Sequence, residues 1–517
     1  MNRTPRLSAE AKILLGASTV LALLLWAAPV AAIVVSLTIL FGTILLVLTR
    51  LACALAARPA HLPTEAVGDQ FVSIHIATHS EPAEVVKATL DSLAALNHPH
   101  YEVIVLDNNT SDASLYEPVR EHCRQLGSKF RFYHFDDVEG AKAGALNLAL
   151  QLSDPRTEVV LVLDADYQAL PHILETGLSH FVDSGVALVQ FPQAYRNSDT
   201  TCGLTWDYKM FFDVYMNLAN HHNTVLSTGT AAFVSKQALQ SLGGWTGDTL
   251  TEDAELGLRL HRQGYRGVYV PEVVAAGEMP TDFTALRTQR RRWVLGNAQS
   301  LKQVWREPSI DLGRKFLLSM QLTAWASPLL LSGAAFLTAA LLNQVAYVPA
   351  ADPVMAFTSL AIIWYLVGTL GFFAIAVTRQ GASVLTAFRA MLAHMGTQWE
   401  ASLAWCELFV DSDKSFQRTD KFLRAPETTT LVATVSLSLV CCGLGLDLLR
   451  VGGSPWLAFA CSLSSLLLSG LGYLHWNLQM VRKRTHRFGR PLPTALSGAL
   501  KPGHVHTLSK TRDVSLA

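Results

Sequence analysis

Apolar residues run almost unbroken from Ile13 to Thr49, interrupted by Pro29. Each half is about 17–18 residues, near the lower limit for crossing a bilayer. A cleaved signal would have a shorter apolar core, a small-residue cleavage site and then polar sequence, so the run predicts two membrane helices. From about His61 to Arg306 the period changes. Phe71–Thr78 and Tyr101–Asp107 read as buried strands around a helical segment, and Glu158–Asp166 reads as a third strand. Such strand–helix–strand repetition predicts an α/β domain with a parallel sheet. Beyond Arg306 long apolar stretches return at roughly 317–342, 354–377, 429–449 and 455–474, making six candidate membrane helices in all. Near 383–410, Phe388, Met391, Leu392, Met395, Trp399 and Leu403 keep a helical period, but Arg389, His394, Glu400 and Glu407 make the stretch too polar to span. It fits an amphipathic interfacial helix or a helix packed as core against the domain.

Charge refines this picture. Only 16% of the 517 residues are charged and the net charge is zero, which gives no global attraction to nucleic acid. The cations cluster beside the apolar runs: Arg3, Arg6 and Lys12 before the first, Arg50 and Arg58 after the second, and Arg314 and Lys315 before the third. Arg379, then Lys414, Arg418, Lys421 and Arg424, then Arg482, Lys483, Arg484 and Arg487 continue the pattern. If every run crosses once, all of these share one side, which the positive-inside rule makes cytoplasmic; Arg450 alone falls outside. The expected organisation is a helix pair (1–54), a cytosolic domain (60–308), about four further helices (314–480) and a basic tail (481–517), with both termini inside. The seven cysteines show no CxxC pair, so neither a zinc site nor a disulfide framework is expected.

The candidate chemistry sits at strand ends. Ligands of open α/β sheets bind beyond the carboxyl ends of the strands, and there Asp107, Asp164 and Asp166 follow two strands. One such aspartate often only caps a turn; three from two strands point to function. Asp164 and Asp166 are spaced to share a hard divalent ion that also binds a diphosphate. Neither GxxxxGK[ST] nor GxGxxG after a strand occurs, which disfavours an NTPase or dinucleotide enzyme, and HExxH is absent. Thr251, Glu252 and Asp253 open a predicted helix, with Thr251 as its N-cap and the acids favoured by the dipole. That position holds Asp253 rigidly, as a general base requires.

Together these residues resemble the processive family 2 glycosyltransferases, such as cellulose, hyaluronan and chitin synthases. Their signature is an aspartate after an early strand, then DxD, TED and QxxRW. Here these are Asp107, Asp164–Asp166, Thr251–Asp253 and Gln289–Trp293, in that order and followed by apolar spans. The run around TED and QxxRW is most similar to bacterial β-glucan synthases. Asn108 and Asn109 stand where the family usually has a second acid. The resemblance implies a GT-A (Rossmann-like) α/β domain inserted between transmembrane helices in a bacterial inner membrane. It implies inverting transfer from a UDP-sugar, UDP-glucose by the β-glucan likeness, to a growing polysaccharide extruded across the membrane. By this likeness Glu81 and Asp107 line the uridine side, Lys142 helps hold the nucleotide, and Asp166 with Asp164 carries Mg²⁺ or Mn²⁺. Asp253, within the TED triplet beside Thr251 and Glu252, is the base; Thr228, Gly229 and Thr230 lie by the acceptor. Lipid and periplasmic accessory subunits are the implied partners, with no nucleic acid. A non-processive transferase acting on a membrane lipid, and a scaffold or transporter that binds a nucleotide sugar without chemistry, are the alternatives.

The three arginines of the last motif divide under a helical period. Gln289, Arg292 and Trp293 lie at i, i+3 and i+4, on one face. That face can set Arg292 on the leaving diphosphate and Trp293 beneath the acceptor sugar. Arg290 and Arg291 are expected to point elsewhere, as cytoplasmic surface or lipid-headgroup charge.

Overall fold

A computed structural model describes residues 9–59, 68–407 and 455–487, with a few isolated residues between 436 and 450. Two apolar helices, α1 (Ala9–Ala27) and α2 (Pro29–Ala56), lead in, and Pro29 sits in the first turn of α2, where its missing N–H costs nothing. The α/β unit opens with β1 (Phe71–Thr78), α3 (Ala83–Ala94), β2 (Tyr101–Asn108), α4 (Ala113–Leu126), β3 (Phe130–Phe135), α5 (Ala141–Leu152) and β4 (Thr157–Val162). Next come β5 (Gln168–Ala169), α6 (Ile173–Leu178), β6 (Val186–Gln190) and β7 (Ala194–Tyr195). Helix α7 (Gly203–Met210) runs through a π turn (Phe211–Met216) into α8 (Asn217–His221). Then follow β8 (Ala232–Ser235), α9 (Lys236–Ser241), α10 (Glu252–Arg262), β9 (Arg266–Tyr269), β10 (Ala275–Gly277) and α11 (Phe283–Arg306). The remaining helices are α12 (Leu312–Leu322), α13 (Leu329–Val345), α14 (Ala351–Thr378), α15 (Val384–Glu407) and α16 (Pro455–Arg487).

The main sheet has seven strands in the order β3-β2-β1-β4-β8-β6-β9. β8 alone runs antiparallel to its neighbours β4 and β6. The sheet is mostly parallel, as the alternating strands and helices predict, and GT-A-like, as the resemblance implies. Every residue of β2 is buried, which fits a strand covered on both faces. Val72, Ile74 and Ile76 of β1 meet Leu90 and Leu161 in one core, while Ile104 and Leu106 of β2 pack with Ala145 and Ala149 in another. Parallel register sets Thr78 beside Asp107, so the ends of β1 and β2 come level, with Leu163–Asp166 following β4 on the same edge.

A third core joins the sheet to the apolar helices. It runs from Val160 and Val234 through Trp206 and Phe211 to Val47 and Phe373. Gly368 of α14 meets Val47 of α2 so closely that a Cβ there would lie 2.1 Å from Val47 Cγ1.

Three helices among the described residues are long and apolar enough to cross a bilayer: Pro29–Ala56, Ala351–Thr378 and Ala458–Thr485; Leu15–Ala27 and Leu329–Val345 are shorter apolar helices. The apolar stretch at 317–342 is therefore not the single helix expected. It breaks at 323–328, and α12 buries Leu318, Gln321 and Leu322 against the α/β unit. The break falls at Pro328, which the hydropathy pattern alone overlooks. The stretch at 429–449 lies outside the described residues, apart from isolated positions. Within the stretch at 383–410, α15 buries Ala387, Ala390, His394, Gln398 and Ala401. Arg50 also departs from its expected place as a flanking charge, because α2 continues past it and its side chain is buried.

Candidate active site

A cavity of about 340 Å³ opens at the carboxyl edge of the sheet. One end is formed by Thr78, His79, Glu81, Asn108 and Asn109; Asp164 and Asp166 form its floor. Lys142, Thr228, Gly229 and the Thr251–Asp253 triplet close a second side, and Gln289, Arg292 and Trp293 a third. Residues scattered over more than two hundred positions thus converge on one volume. Its size lies in the usual range for a small-molecule site.

Two of the sequence candidates stand behind the wall rather than on it. The Asp107 carboxylate is 2% exposed; it accepts from Thr78 Oγ1 (2.8 Å) and Thr110 Oγ1 (2.9 Å) and faces His134 Nδ1 at 2.8 Å. With those partners it fixes the strand ends, and Asn108 and Asn109 face the cavity instead. Thr230 is fully buried; its hydroxyl accepts from the Asp164 backbone N–H at 3.0 Å, so it holds the acid in place. The expectation that these two contact ligand is corrected accordingly.

Lys142 enters at the start of α5, just after Gly140 in the left-handed region. Its Nζ donates to Asp164 Oδ1 (2.6 Å) and to the Gly229 carbonyl (2.8 Å). Burial alone would lower its pKa, but Asp164, Glu252 and Asp253 hold it above the ordinary lysine value. The ammonium stays charged. Asp166 is nearly buried, and its Oδ2 accepts from the Glu278 backbone N–H at 2.7 Å. Among the described residues no group of three or more His, Cys, Asp or Glu could hold a metal. Two carboxylates on one cavity floor suit Mg²⁺ or Mn²⁺, ions that take one or two carboxylates and fill the rest of their shell with water and substrate phosphate; they do not suit a metal needing an all-protein cage.

Asp253 lies in the first turn of α10 and accepts from the Ala254 N–H at 2.9 Å. Burial and then the neighbouring Glu252 push its pKa up to about 7, with Lys142 and Arg292 pulling the other way. Gly229 makes room for it. There φ is +82°, and a Cβ would lie 2.6 Å from Asp253 Oδ2, so both the backbone conformation and the space require glycine. Thr251 occupies the N-cap position, but its side chain makes no capping bond.

On α11, Gln289, Arg292 and Trp293 face the cavity together, as the helical period predicts, and Gln289 Oε1 accepts from the Tyr208 hydroxyl. Arg290 is not the surface charge expected. It is 1% exposed, its Nη2 pairs with Asp207 Oδ2, and the other Asp207 oxygen meets His394 Nδ1 of α15 at 2.7 Å. Its guanidinium lies 4.2 Å over the Tyr208 ring and 4.9 Å over Trp325. Arg290 therefore buttresses the back of the motif helix.

Several site residues carried no sequence signal, among them Gln193, Tyr195 and Leu250. A second, smaller cavity of about 60 Å³ adjoins the first and shares Gln193, Thr228, Thr251, Asp253 and Trp293 with it. Its own walls include Phe211, Phe212, Leu226, Leu322 and Trp325. Nothing in the spacing of these apolar residues distinguishes them from ordinary core.

A mostly parallel sheet bearing an acid pair at its carboxyl edge, with a helix-start carboxylate and a cation facing it, is the layout of a GT-A glycosyltransferase. The chain matches the glycosyl transferase family group 2 model over residues 159–377 and the glycosyl transferase family 2 model over residues 73–243. The chain carries a family 2 glycosyltransferase domain. It is 30% identical over 251 residues to a cellulose synthase catalytic subunit [UDP-forming] of Pseudomonas fluorescens, covering 47% of this chain and 33% of that protein. It is 31% identical over 260 residues to a beta-monoglucosyldiacylglycerol synthase of Trichormus variabilis, covering 48% and 54%. To a glucomannan 4-beta-mannosyltransferase of Arabidopsis thaliana it is 29% identical, covering 43% of each. The chain thus spans between a third and just over half of these relatives' lengths. A solved mannosyltransferase from Pyrobaculum calidifontis, in complex with GDP-Man and Mn²⁺, overlays 68% of this chain and 98% of its own at 22% identity and a TM-score of 0.48.

Proposed function

We propose that the protein is a membrane-embedded inverting glycosyltransferase that takes a hexose from a UDP-sugar, UDP-glucose on the sequence likeness, and adds it to a growing polysaccharide. The observation that carries this is the place of Asp253. It is the one carboxylate shared by the large polar cavity and the small aromatic one, between a donor space and an acceptor space. In the reaction an acceptor hydroxyl gives its proton to Asp253 as its oxygen attacks the anomeric carbon, and the bond from that carbon to the diphosphate breaks on the opposite side. A pKa near 7 lets the carboxylate act as a base at neutral pH. Charge building on the leaving diphosphate is met by Arg292 and Lys142, fixed donors of the kind that lower such barriers. Asp164 and Asp166 would hold Mg²⁺ or Mn²⁺, which supplies Lewis-acid neutralisation of the diphosphate. Trp293 offers its ring to the acceptor sugar. The cationic flanks favour a cytoplasmic catalytic domain, with the product passing outward between the helices, in a bacterial inner membrane and alongside periplasmic subunits.

One observation favours a second reading. The cavity beyond Asp253 has apolar walls at Phe211, Phe212, Leu226 and Leu322, and one relative is named a beta-monoglucosyldiacylglycerol synthase, so a membrane-lipid alcohol is the competing acceptor. The test is purified protein in lipid nanodiscs with Mg²⁺ or Mn²⁺ and a panel of radiolabelled UDP-sugars, followed by linkage-specific hydrolases. A hydrolase-sensitive polymer supports the polysaccharide reading. A short lipid-borne product selects the lipid acceptor, and incorporation of no sugar leaves a binding protein without chemistry.

A further inference from the structure

Arg50 is the charge least explained by that reading. It lies within α2, is 5% exposed, and among the described residues has no carboxylate within ion-pair distance. A cation buried in a membrane-spanning segment is expensive and marks function by default. Its Nη2 donates to three backbone carbonyls, those of Thr323 (3.1 Å), Ala324 (3.1 Å) and Ala326 (2.7 Å). These three oxygens belong to the break between α12 and α13, where the helical pattern of bonds stops and carbonyls need outside donors. Nη1 reaches the Tyr365 hydroxyl at 3.4 Å, and that hydroxyl donates to Gln398 Oε1 at 2.7 Å. Arg50 thus ties α2, α14 and α15 to one short turn.

The clamped carbonyls bracket Trp325. Its ring stacks on Phe211 at 5.0 Å and meets Trp293 at 5.3 Å, and it lines the small cavity beside Asp253. Trp325 is 7% exposed, yet its indole Nε1 has no hydrogen-bond partner, and neither have the buried Thr228 Oγ1 and Thr251 Oγ1 on the same cavity. Buried polar atoms left open in this way call for a ligand. An indole N–H, two hydroxyls and aromatic faces around a base suit a pyranose, which offers hydroxyls at its rim and an apolar C–H face. The cavity of about 60 Å³ has room for a few waters, less than a sugar ring occupies, so a wall must yield on entry. Trp293 is fixed mid-helix, whereas Trp325 sits on a turn.

We infer that Trp325 is a second acceptor-binding residue, donating its indole N–H to an acceptor hydroxyl, and that Arg50 is a positioning residue that sets Trp325 through the backbone of its turn. The inference rests on the proposed sugar transfer, and its test has an arm that does not. The full chain, labelled with 5-fluorotryptophan in phosphatidylethanolamine/phosphatidylglycerol nanodiscs, gives a ¹⁹F resonance for Trp325, assigned by its absence in Trp325→Phe. In Arg50→Met this resonance is expected to shift or broaden while UDP affinity stays within about twofold. With UDP-[¹⁴C]glucose as donor and cellotetraose as acceptor probe, Trp325→Ala and Arg50→Met should raise the acceptor KM roughly tenfold, the scale of one lost hydrogen bond and stacking face, with donor KM unchanged. An unmoved resonance in Arg50→Met overturns the positioning role, and an unmoved acceptor KM in Trp325→Ala overturns the binding role. No turnover by the wild type strikes at the transfer reading instead, and the resonance still decides Arg50. Should Arg50→Met not fold, Arg50→Lys carries the test, since its ammonium offers donors to the same carbonyls on a shorter stem. A partial shift of the Trp325 resonance supports positioning; a wild-type resonance beside an unfolded Met variant means a fold-wide role and overturns it.

Discussion

Replacing Asp253 with Asn removes the charge of the proposed base and leaves its shape, and the structure makes an unusual demand on the result. A carboxylate whose pKa rises from 3.8 to about 7 on folding is better tolerated protonated than ionised. Its contribution to stability is complete below the ordinary carboxyl range and is lost as pH rises through about 7. At about 1.36 kcal/mol per pH unit the gap corresponds to roughly 4 kcal/mol. The carboxylate borders a water-accessible cavity, and screening there reduces the cost; we take about 2 kcal/mol. Asn mimics the protonated acid, so Asp253→Asn should melt about 4 °C higher than wild type at pH 8.5, with the gap falling to roughly 1–2 °C at pH 5, where only the unfolded carboxyl is ionised. Turnover should fall by about 10²–10⁴, with UDP binding retained. Thermal unfolding in nanodiscs at the two pH values, beside UDP titration and donor turnover, checks all three. A variant no more stable than wild type at pH 8.5 would refute the electrostatic reasoning, and full activity would refute the base.

The same carboxylate sets a pH profile: kcat/KM should climb with pH through about 7, and a profile flat from pH 5.5 to 8 counts against Asp253 as the base. Arg292→Ala should lose about 10²–10³ in kcat with a smaller change in Tm than Arg290→Ala. Arg290→Ala should instead cost about 3–5 kcal/mol of stability by stranding Asp207, so a pair of variants equal in both measurements contradicts this division. Gly229→Ala forces a Cβ to within 2.6 Å of Asp253 Oδ2 at a φ of +82°, and kcat should drop by about tenfold or more as the base moves, with UDP affinity near wild type.

What could be read from the chain alone follows the range over which each signal acts. Period and motif are local. The strands that end at Thr78 and Asp107, the acid pair at Asp164 and Asp166, and the shared face of Gln289, Arg292 and Trp293 all follow from spacing within a few residues. Asp107 shows where local logic stops. Its place at a strand end could be read, but whether it faces the cavity depends on Thr110 and His134, which take up its oxygens. The π turn that carries Phe211 and Phe212, and Leu322 at the end of α12, could not be read at all, because an apolar residue against a ligand and one against a core make the same pattern.

The charges were the least legible, and for a physical reason. Beside an apolar run a cation reports topology, since it marks the side that stays in water. Arg50 and Arg290 share that outward signature and are both buried, one under three carbonyls and the other between Asp207 and three aromatic rings. A buried guanidinium persists only where neighbours replace its hydration, and those neighbours come from α7, α14 and the 323–328 turn, far away in sequence. Both arginines therefore stand where the α/β unit meets the apolar helices: Arg290 lies over the rings of Tyr208, Trp293 and Trp325 beside Asp253, and Arg50 holds the turn that carries Trp325. On the proposed function, transfer at Asp253 would engage that same aromatic group. A substitution at either arginine should then be felt on the acceptor side before the donor side.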